Sequence, residues 1–175
     1  MLGRHVAHLA ARTQLTRLGA TCNILGHMSS TREAHTLLLV HDTKQIHAGI
    51  GITEPLQRPD VTVEACVGRR GADGPYIVGE ALMQAVTQGE AVDIIYPITD
   101  GDVSNWDALE ALWYHVLHDK LGVRPGNNAY YIMLALPSPV SRDVYEQGAK
   151  ILFEKFNSPA ITISEVPLLS AYALG

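Results

Sequence analysis

The chain has 175 residues, with 13 Lys and Arg against 18 Asp and Glu and a formal charge of −5, and this length suits one domain with a small appendage. The negative charge argues against nucleic acid as the main partner, and two cysteines are too few for a disulfide framework or a four-cysteine zinc site. Because no apolar run reaches the roughly 18 residues of a membrane span, the sequence predicts a mixed globular protein.

The first 30 residues differ in charge from all that follow. Residues 1–30 contain three basic side chains, Arg4, Arg12 and Arg17, and no acid. The chain from Glu33 onward holds nine Lys and Arg and all 18 acids. This contrast indicates that the start of the chain is a separate segment.

The basic segment is also amphipathic. On a helical wheel Leu2, Val6 and Leu9 share one side, and arginines and histidines occupy the other. We therefore divide the chain into a basic amphipathic arm or leader over residues 1–34 and a folded domain over residues 35–175. An acid-free, Arg-bearing start is also typical of a mitochondrial transit peptide. We expect a retained arm and keep a mitochondrial leader as the alternative.

Three short runs after the arm predict strands. Residues 36–40 are apolar throughout, residues 45–52 alternate weakly, and residues 61–67 alternate between apolar and polar side chains. Their short connections predict an antiparallel meander.

The clearest predicted helix covers residues 104–122, because apolar side chains recur there at helical spacing. Ser104, with Asp107 three residues on, predicts a capping box, and Gly122 is a natural stop.

The last third of the chain alternates between strand and helix. Residues 129–137 are continuously apolar, as a central strand requires, and residues 160–164 are a second, β-branched strand. Helices are predicted over residues 141–156 and 167–174. One apolar face is predicted for the first of these helices, made of Tyr145, Ala149, Leu152, Phe153 and Phe156. The whole order predicts an α/β fold with a mixed sheet, an antiparallel three-strand start and flanking helices, as in a ribonuclease-H-like domain.

Several sequence words stand in a characteristic order. Residues 96–98 read Tyr-Pro-Ile, residues 104–107 read Ser-Asn-Trp-Asp, residues 153–160 read Phe-Glu-Lys-Phe-Asn-Ser-Pro-Ala, and residues 169–175 read Leu-Ser-Ala-Tyr-Ala-Leu-Gly. In spacing and order these words resemble actin and the actin-related proteins, and shorter matches extend the resemblance over about residues 36–175. The resemblance implies a truncated, actin-type half-domain without the second phosphate loop or the adenine pocket.

The resemblance places a degenerate nucleotide site at the first hairpin. The family has an Asp followed by a Gly- and Ser-rich turn whose backbone N–H groups cradle phosphates. Here Asp42 is followed by Thr43 and Lys44, without glycine, in a shortened turn, and His47 stands where the family has a phosphate-contacting Lys. These four residues are therefore the candidates for a nucleotide site that has lost its function.

Two further departures from the family bear on activity. The family's water-positioning Gln corresponds to Val166, which can neither orient a water nor accept a proton. The long insertion that grips the next subunit of a filament is reduced to residues 71–75. We therefore expect a protein that is not an enzyme, holds no cofactor and does not form an actin-type filament.

Histidines and acids outside that hairpin have a structural explanation. His115 and His118 are three residues apart on the predicted helix, next to Asp119, but the ordinary core face of that helix argues against a metal site there. We expect His41 and His47, which flank the first turn, to lie at the surface.

Carboxylates before and within the first turn of that helix are favoured by its dipole, which explains Asp100, Asp102 and Asp107 without catalysis. Cys66 lies on a predicted strand and is expected to be a small core side chain.

The sequence predicts a structural subunit of a larger protein assembly, because a half-length actin fold leaves apolar surface for other subunits to cover. The predicted partner interface comprises Arg4, Arg12, Arg17, Val166, Leu168, Leu169 and Tyr172. We expect protein partners without direct nucleic-acid contact, and a cytoplasmic or cytoskeletal location. Two alternatives stay open: half of a split actin-like ATPase completed by another chain, and a module that binds or caps actin.

Overall fold

The computed structural model describes residues 36–42, 44–51, 58–137 and 140–174. The predicted arm, with Arg4, Arg12 and Arg17, lies outside these residues, as does Thr43. None of the helices in this part of the chain has the length and apolar character of a membrane span.

The main sheet is built around its first strand, β1 (Thr36–His41), which pairs antiparallel with β2 (Gln45–Ile50). In turn, β2 pairs antiparallel with β3 (Val61–Glu64). On its other side β1 pairs parallel with β9 (Tyr131–Leu136), and β9 pairs parallel with β10 (Ile161–Glu165). The order β10-β9-β1-β2-β3 confirms the predicted mixed sheet and its antiparallel start.

A second sheet and a helix fill the middle of the chain. The sheet has the order β5-β4-β6, from β4 (Val67–Arg69), β5 (Tyr76–Val78) and β6 (Asp93–Ile95), and α1 (Glu80–Thr87) lies between β5 and β6 in sequence. A small hairpin of β7 (Ile98–Thr99) and β8 (Asp102–Val103) follows. The sequence predicted none of β5, α1, β6, β7 or β8, because these pieces are too short to show a periodicity.

The single strand predicted over residues 61–67 is wrong. It divides into β3 in the main sheet and β4 in the second sheet. Alternation of side chains continues through such a change of partner, so it does not reveal the break. In β4, a Cβ at Gly68 would lie 2.6 Å from Val92 Cγ1 and closer still to Leu82 Cδ1 of α1, so a larger residue there would displace both side chains.

Helix α2 (Trp106–Tyr114) continues into a π-helical segment, His115–Lys120, and the chain leaves it through Gly122 at φ 71°. The stop at Gly122 is confirmed, since this left-handed conformation favours glycine. The capping box at Ser104 is wrong. The side chain of Asn105 caps the helix by accepting from Ala108 N at 2.9 Å, while the Ser104 hydroxyl donates to the carbonyl oxygens of Tyr96 and Pro97.

Helix α3 (Arg142–Glu154) begins at Ser141, whose hydroxyl accepts from Val144 N. Its predicted apolar face is partly wrong, because Tyr145 and Phe153 are 47% and 46% exposed. The buried positions are Val144, Gly148, Ile151 and Leu152. These four residues form a buried stripe that is rotated around the helix from the predicted face. The rings of Tyr145 and Phe153 lie at the margins of this stripe.

The main sheet is covered on both faces. On the first face, α2 and α3 pack over alternate strand residues, among them Leu37, Leu39 and Leu134. Helix α4 (Val166–Leu174) follows β10 without a loop and covers part of the second face. That second-face cluster consists of Leu38, Val40, Met133, Ala135 and Leu169, with Val166 packed against it.

The buried side chain of Asn128 joins α3 to β9. Its Nδ2 donates to the carbonyl of Phe156 at 2.8 Å, and its Oδ1 accepts from Tyr130 N at 2.9 Å.

We expect Asn128→Ala to lower the free energy of unfolding by about 2 kcal/mol, because it leaves two backbone groups unpaired. Urea unfolding measures this loss. The control is Asn127→Ala at the neighbouring exposed position, where we expect a change within about 0.5 kcal/mol. Equal losses in the two variants would contradict the assignment.

Candidate functional site

The hairpin between β1 and β2 closes directly after the last pair of its ladder. His41 pairs with Ile46, and Asp42 N donates to the carbonyl of Gln45 at 2.8 Å. The side chains of Asp42 and Lys44 are exposed. A phosphate cradle needs several successive N–H groups aimed at one point. Here the Asp42 N–H is already used by the hairpin.

His47 lies within β2 and not at the turn. Its side chain is buried, contrary to the predicted surface position, and its Nδ1 is 3.0 Å from the hydroxyl of Thr62 on β3. Because His47 pairs opposite Val40, its imidazole belongs to the same face of the sheet as the second-face cluster. Val166 packs on that cluster too. The structure therefore brings His47 and Val166 to one face, and leaves Asp42 and Lys44 exposed at the hairpin end.

His41 is the second imidazole that was predicted at the surface and is buried. Its Nε2 accepts a hydrogen bond from Trp113 Nε1 at 2.7 Å, and the ring is 1% exposed. Burial lowers its pKa from 6.5 to about 3, so the ring is neutral and carries its proton on Nδ1. The predicted surface position is wrong because His41 continues the alternation of Leu37 and Leu39, whose side of β1 is covered by α2. That alternation was the available signal.

His115, His118 and Asp119 form one hydrogen-bonded cluster. The two Asp119 oxygens lie 2.9 Å from His115 Nδ1 and 2.9 Å from His118 Nδ1. Hydrogen bonding from His118 and, less strongly, from His115 lowers the pKa of Asp119. Nε2 of His115 is buried against Gly79, where a Cβ would lie 2.5 Å from that nitrogen. Within the described ranges no three such side chains are arranged to hold a metal ion.

The remaining candidates have local structural roles. Asp102 Oδ1 accepts from Val103 N at 2.8 Å, and Asp100 adopts a left-handed φ of 54° in the turn between β7 and β8. Asp107 is an exposed acid in the first turn of α2. Cys66 is buried, as expected, and burial is the main cause that raises the pKa of its thiol.

The predicted interface residues on α4 divide into exposed and buried positions. Leu168 is 46% exposed, whereas Leu169 is 1% exposed within the second-face cluster. Leu169 therefore does not belong to the predicted interface, because the main sheet already covers its side chain. Val166 is partly buried on the same cluster. The side chain of Tyr172 lies outside the described residues.

Burial of neutral His41 makes stability depend on pH. Between pH 6.5 and about 3 the unfolded chain binds a proton that the folded chain does not. Above pH 6.5 His41 is neutral in both states and does not lower the free energy of unfolding. As the pH drops below 6.5, protonation of the unfolded chain lowers the free energy of unfolding by up to about 1.4 kcal/mol per pH unit.

We expect His41→Gln, which keeps an acceptor for Trp113, to reduce the slope of the free energy of unfolding against pH between about pH 6 and pH 4, as measured by urea unfolding. Identical slopes in the two chains would show that His41 is not the titrating group.

Comparison with known proteins agrees with this fold. The family model described as Actin matches residues 46–175. Two similar curated proteins are Actin-like protein 7B of Mus musculus, 27% identical over 124 residues, and Actin-like protein 7B of Rattus norvegicus, 26% identical over 124 residues. Each alignment covers 67% of this chain and 29% of the relative, so the chain spans under a third of the relatives' length. With the family model matching most of the chain, this protein belongs to the actin family.

Proposed function

We propose that this protein is a non-catalytic, actin-like structural subunit of a larger protein assembly, without ATP hydrolysis and without actin-type polymerisation. The observation that carries the proposal is the closure of the hairpin between β1 and β2, in which Asp42 N donates to the carbonyl of Gln45. This N–H group is not available to a phosphate, which a cradle binds through several successive N–H groups.

The energetic consequence of that turn is large. Each charge-assisted hydrogen bond to a phosphate is worth about 1.5–3 kcal/mol. Losing two or three of them costs about 3–9 kcal/mol and weakens binding by at least about a hundredfold. His47 does not compensate, because its imidazole is buried in the sheet beside Thr62. Lys44 remains as one exposed cation near the turn, which by itself supports only weak, nonspecific attraction of anions.

The proposed loss of hydrolysis also rests on Val166. This residue packs against the apolar cluster on the second face of the sheet. An isopropyl group in such a place has no polar atom with which to orient an attacking water or accept its proton. A polar side chain at the same position would have to leave that apolar contact or find a hydrogen-bond partner within it.

The proposed loss of polymerisation rests on the connection between β4 and β5. The Arg69 guanidinium donates to the Gly74 carbonyl at 2.8 Å and lies 5.1 Å from the ring centroid of Tyr76. These contacts close the connection into a compact turn. The family's longer loop, which the resemblance places here, has no counterpart in residues 71–75.

Partners and location follow from family membership as proposals. We propose that other protein subunits cover part of the surface, with exposed Leu168 among the contacting residues. We propose a cytoplasmic or cytoskeletal location on the same basis. A partner chain that supplies a complete phosphate site would favour the split ATPase instead.

We expect the full chain to bind MgATP with a dissociation constant above about 1 mM and to release no phosphate from it, because the turn lacks a cradle. Isothermal titration and a phosphate-release assay measure the two quantities, with an actin treated identically as the positive control. Lys44→Ala is the matched variant, and we expect it to leave both results unchanged. Binding below 1 mM that Lys44→Ala weakens would overturn this part of the proposal.

We also expect the chain to remain in the supernatant after addition of magnesium and potassium salts that polymerise actin. High-speed sedimentation followed by electron microscopy tests this expectation, with actin sedimented in parallel. Ordered filaments in the pellet would refute the loss of polymerisation, whereas amorphous precipitate would not count as a filament.

A further inference from the structure

An open groove lies between α2 and β5. Its volume is about 470 Å³, which is within the range of ligand-binding clefts. The lining residues are Tyr76, Val78, Asp107, Glu110, Ala111, Tyr114, His115, Asp119 and Lys155. The groove therefore combines apolar and aromatic groups with carboxylates, and it is separate from the turn between β1 and β2.

The groove carries an excess of acidic groups. Asp107 is exposed, and Asp119 is 48% exposed although it contacts two imidazoles. Glu110 is paired with Lys155 at 3.3 Å. Among the lining residues, the three carboxylates are opposed by one ammonium group and the His115 ring. His118, which also contacts Asp119, and the Arg69 guanidinium over the Tyr76 ring lie beside the lining. A basic segment with an apolar side would complement both the charge and the apolar part of the groove.

A series of neighbours links the start of β1 to two residues of the groove lining. Thr36, where β1 begins, pairs with Tyr131 at the start of β9. Asn128, three residues before Tyr131, donates to the carbonyl of Phe156, which follows Lys155 of the groove lining. The ring of Tyr114, which also lines the groove, lies 6.4 Å from the ring of Phe156.

We propose that residues 1–12 of the basic arm dock as an amphipathic helix in this groove of the same chain. The apolar side formed by Leu2, Val6 and Leu9 contacts the apolar and aromatic lining. The arginines Arg4 and Arg12 lie near the groove carboxylates. Residues 1–12 hold these two arginines and no acid, so their charge is opposite to that of the groove.

The covalent link makes this docking feasible even when the contact is weak. Residues 13–35 would connect the docked part to β1 and reach roughly 75 Å when extended. A tether of this length would keep the arm at an effective concentration near the millimolar range. A separate peptide with millimolar affinity would thus become substantially bound once it is part of the chain.

Paramagnetic relaxation in the full chain tests the docking. A nitroxide is attached to Ala11→Cys, opposite the apolar side of the arm, in a chain that also carries Cys22→Ser; the other cysteine, Cys66, is buried. We expect the label to broaden the backbone amide signals of residues 76–78 and 107–119 at low salt. We expect at least half of this broadening to disappear at high salt, because the arm and groove attract through charges that salt screens.

Two charge-reversal variants provide the matched comparison. Asp107 and Asp143 are both exposed acids in the first turn of a helix, so their replacement by Lys changes the helix terminus in the same way. Only Asp107 lines the groove. We expect Asp107→Lys to reduce the broadening and Asp143→Lys to retain it. The double variant Arg4→Glu and Arg12→Glu should reduce it as well, and it leaves the groove intact if Asp107→Lys fails to fold.

Three results would overturn the proposal. The first is no broadening of the groove signals at low salt. The second is equal broadening in the Asp107→Lys and Asp143→Lys chains together with full broadening in the arm variant. The third comes from a mixture of spin-labelled chain without isotope and isotope-enriched chain without label. Broadening as strong in that mixture as in the labelled chain would place the arm of one copy in the groove of another.

Discussion

The strand β1 fixes the position of almost every other element. All six of its residues are buried, and it pairs with β2 on one side and with β9 on the other. Because its side chains alternate, Leu37, Leu39 and His41 meet the layer of α2 and α3, whereas Leu38 and Val40 meet the layer of α4. A single strand that serves two hydrophobic layers has little freedom to slide, since a shift of one residue would exchange the two faces.

This constraint reaches the candidate site through the last residue of β1. The hydrogen bond from Trp113 to His41 joins α2 to the strand where the turn begins. The next residue, Asp42, donates from its N–H group to the carbonyl of Gln45. One hydrogen bond at His41 and a second between Asp42 and Gln45 therefore hold the chain where the turn begins and ends. The proposed loss of nucleotide chemistry rests on this corner, because the Asp42 N–H group, which could contact a phosphate, is engaged in closing the hairpin.

A second feature of the molecule is the separation of basic and acidic residues along the chain. The basic start and the acidic remainder lie in different parts of the sequence. The fold gathers several of the acids along α2 and beside β5. The folded domain thus carries an acidic groove, whereas the start of the same chain is basic. The proposed structural role and the proposed docking of the arm depend on different surfaces, so each can be right without the other.

The sequence by itself determined the family, the mixed sheet and the longer elements. The short apolar run of β9 favours a buried strand, and the helical spacing of apolar side chains in α3 favours a helix. It also identified the shortened turn at Asp42 and the valine at position 166. The tertiary structure alone decided which partner each short strand takes, as when residues 61–67 divide between two sheets. It alone decided that His41 and His47 are buried and that Leu169 is covered. The physical reason is that burial and pairing depend on which distant segment lies opposite, and a pattern of neighbouring residues does not contain that information.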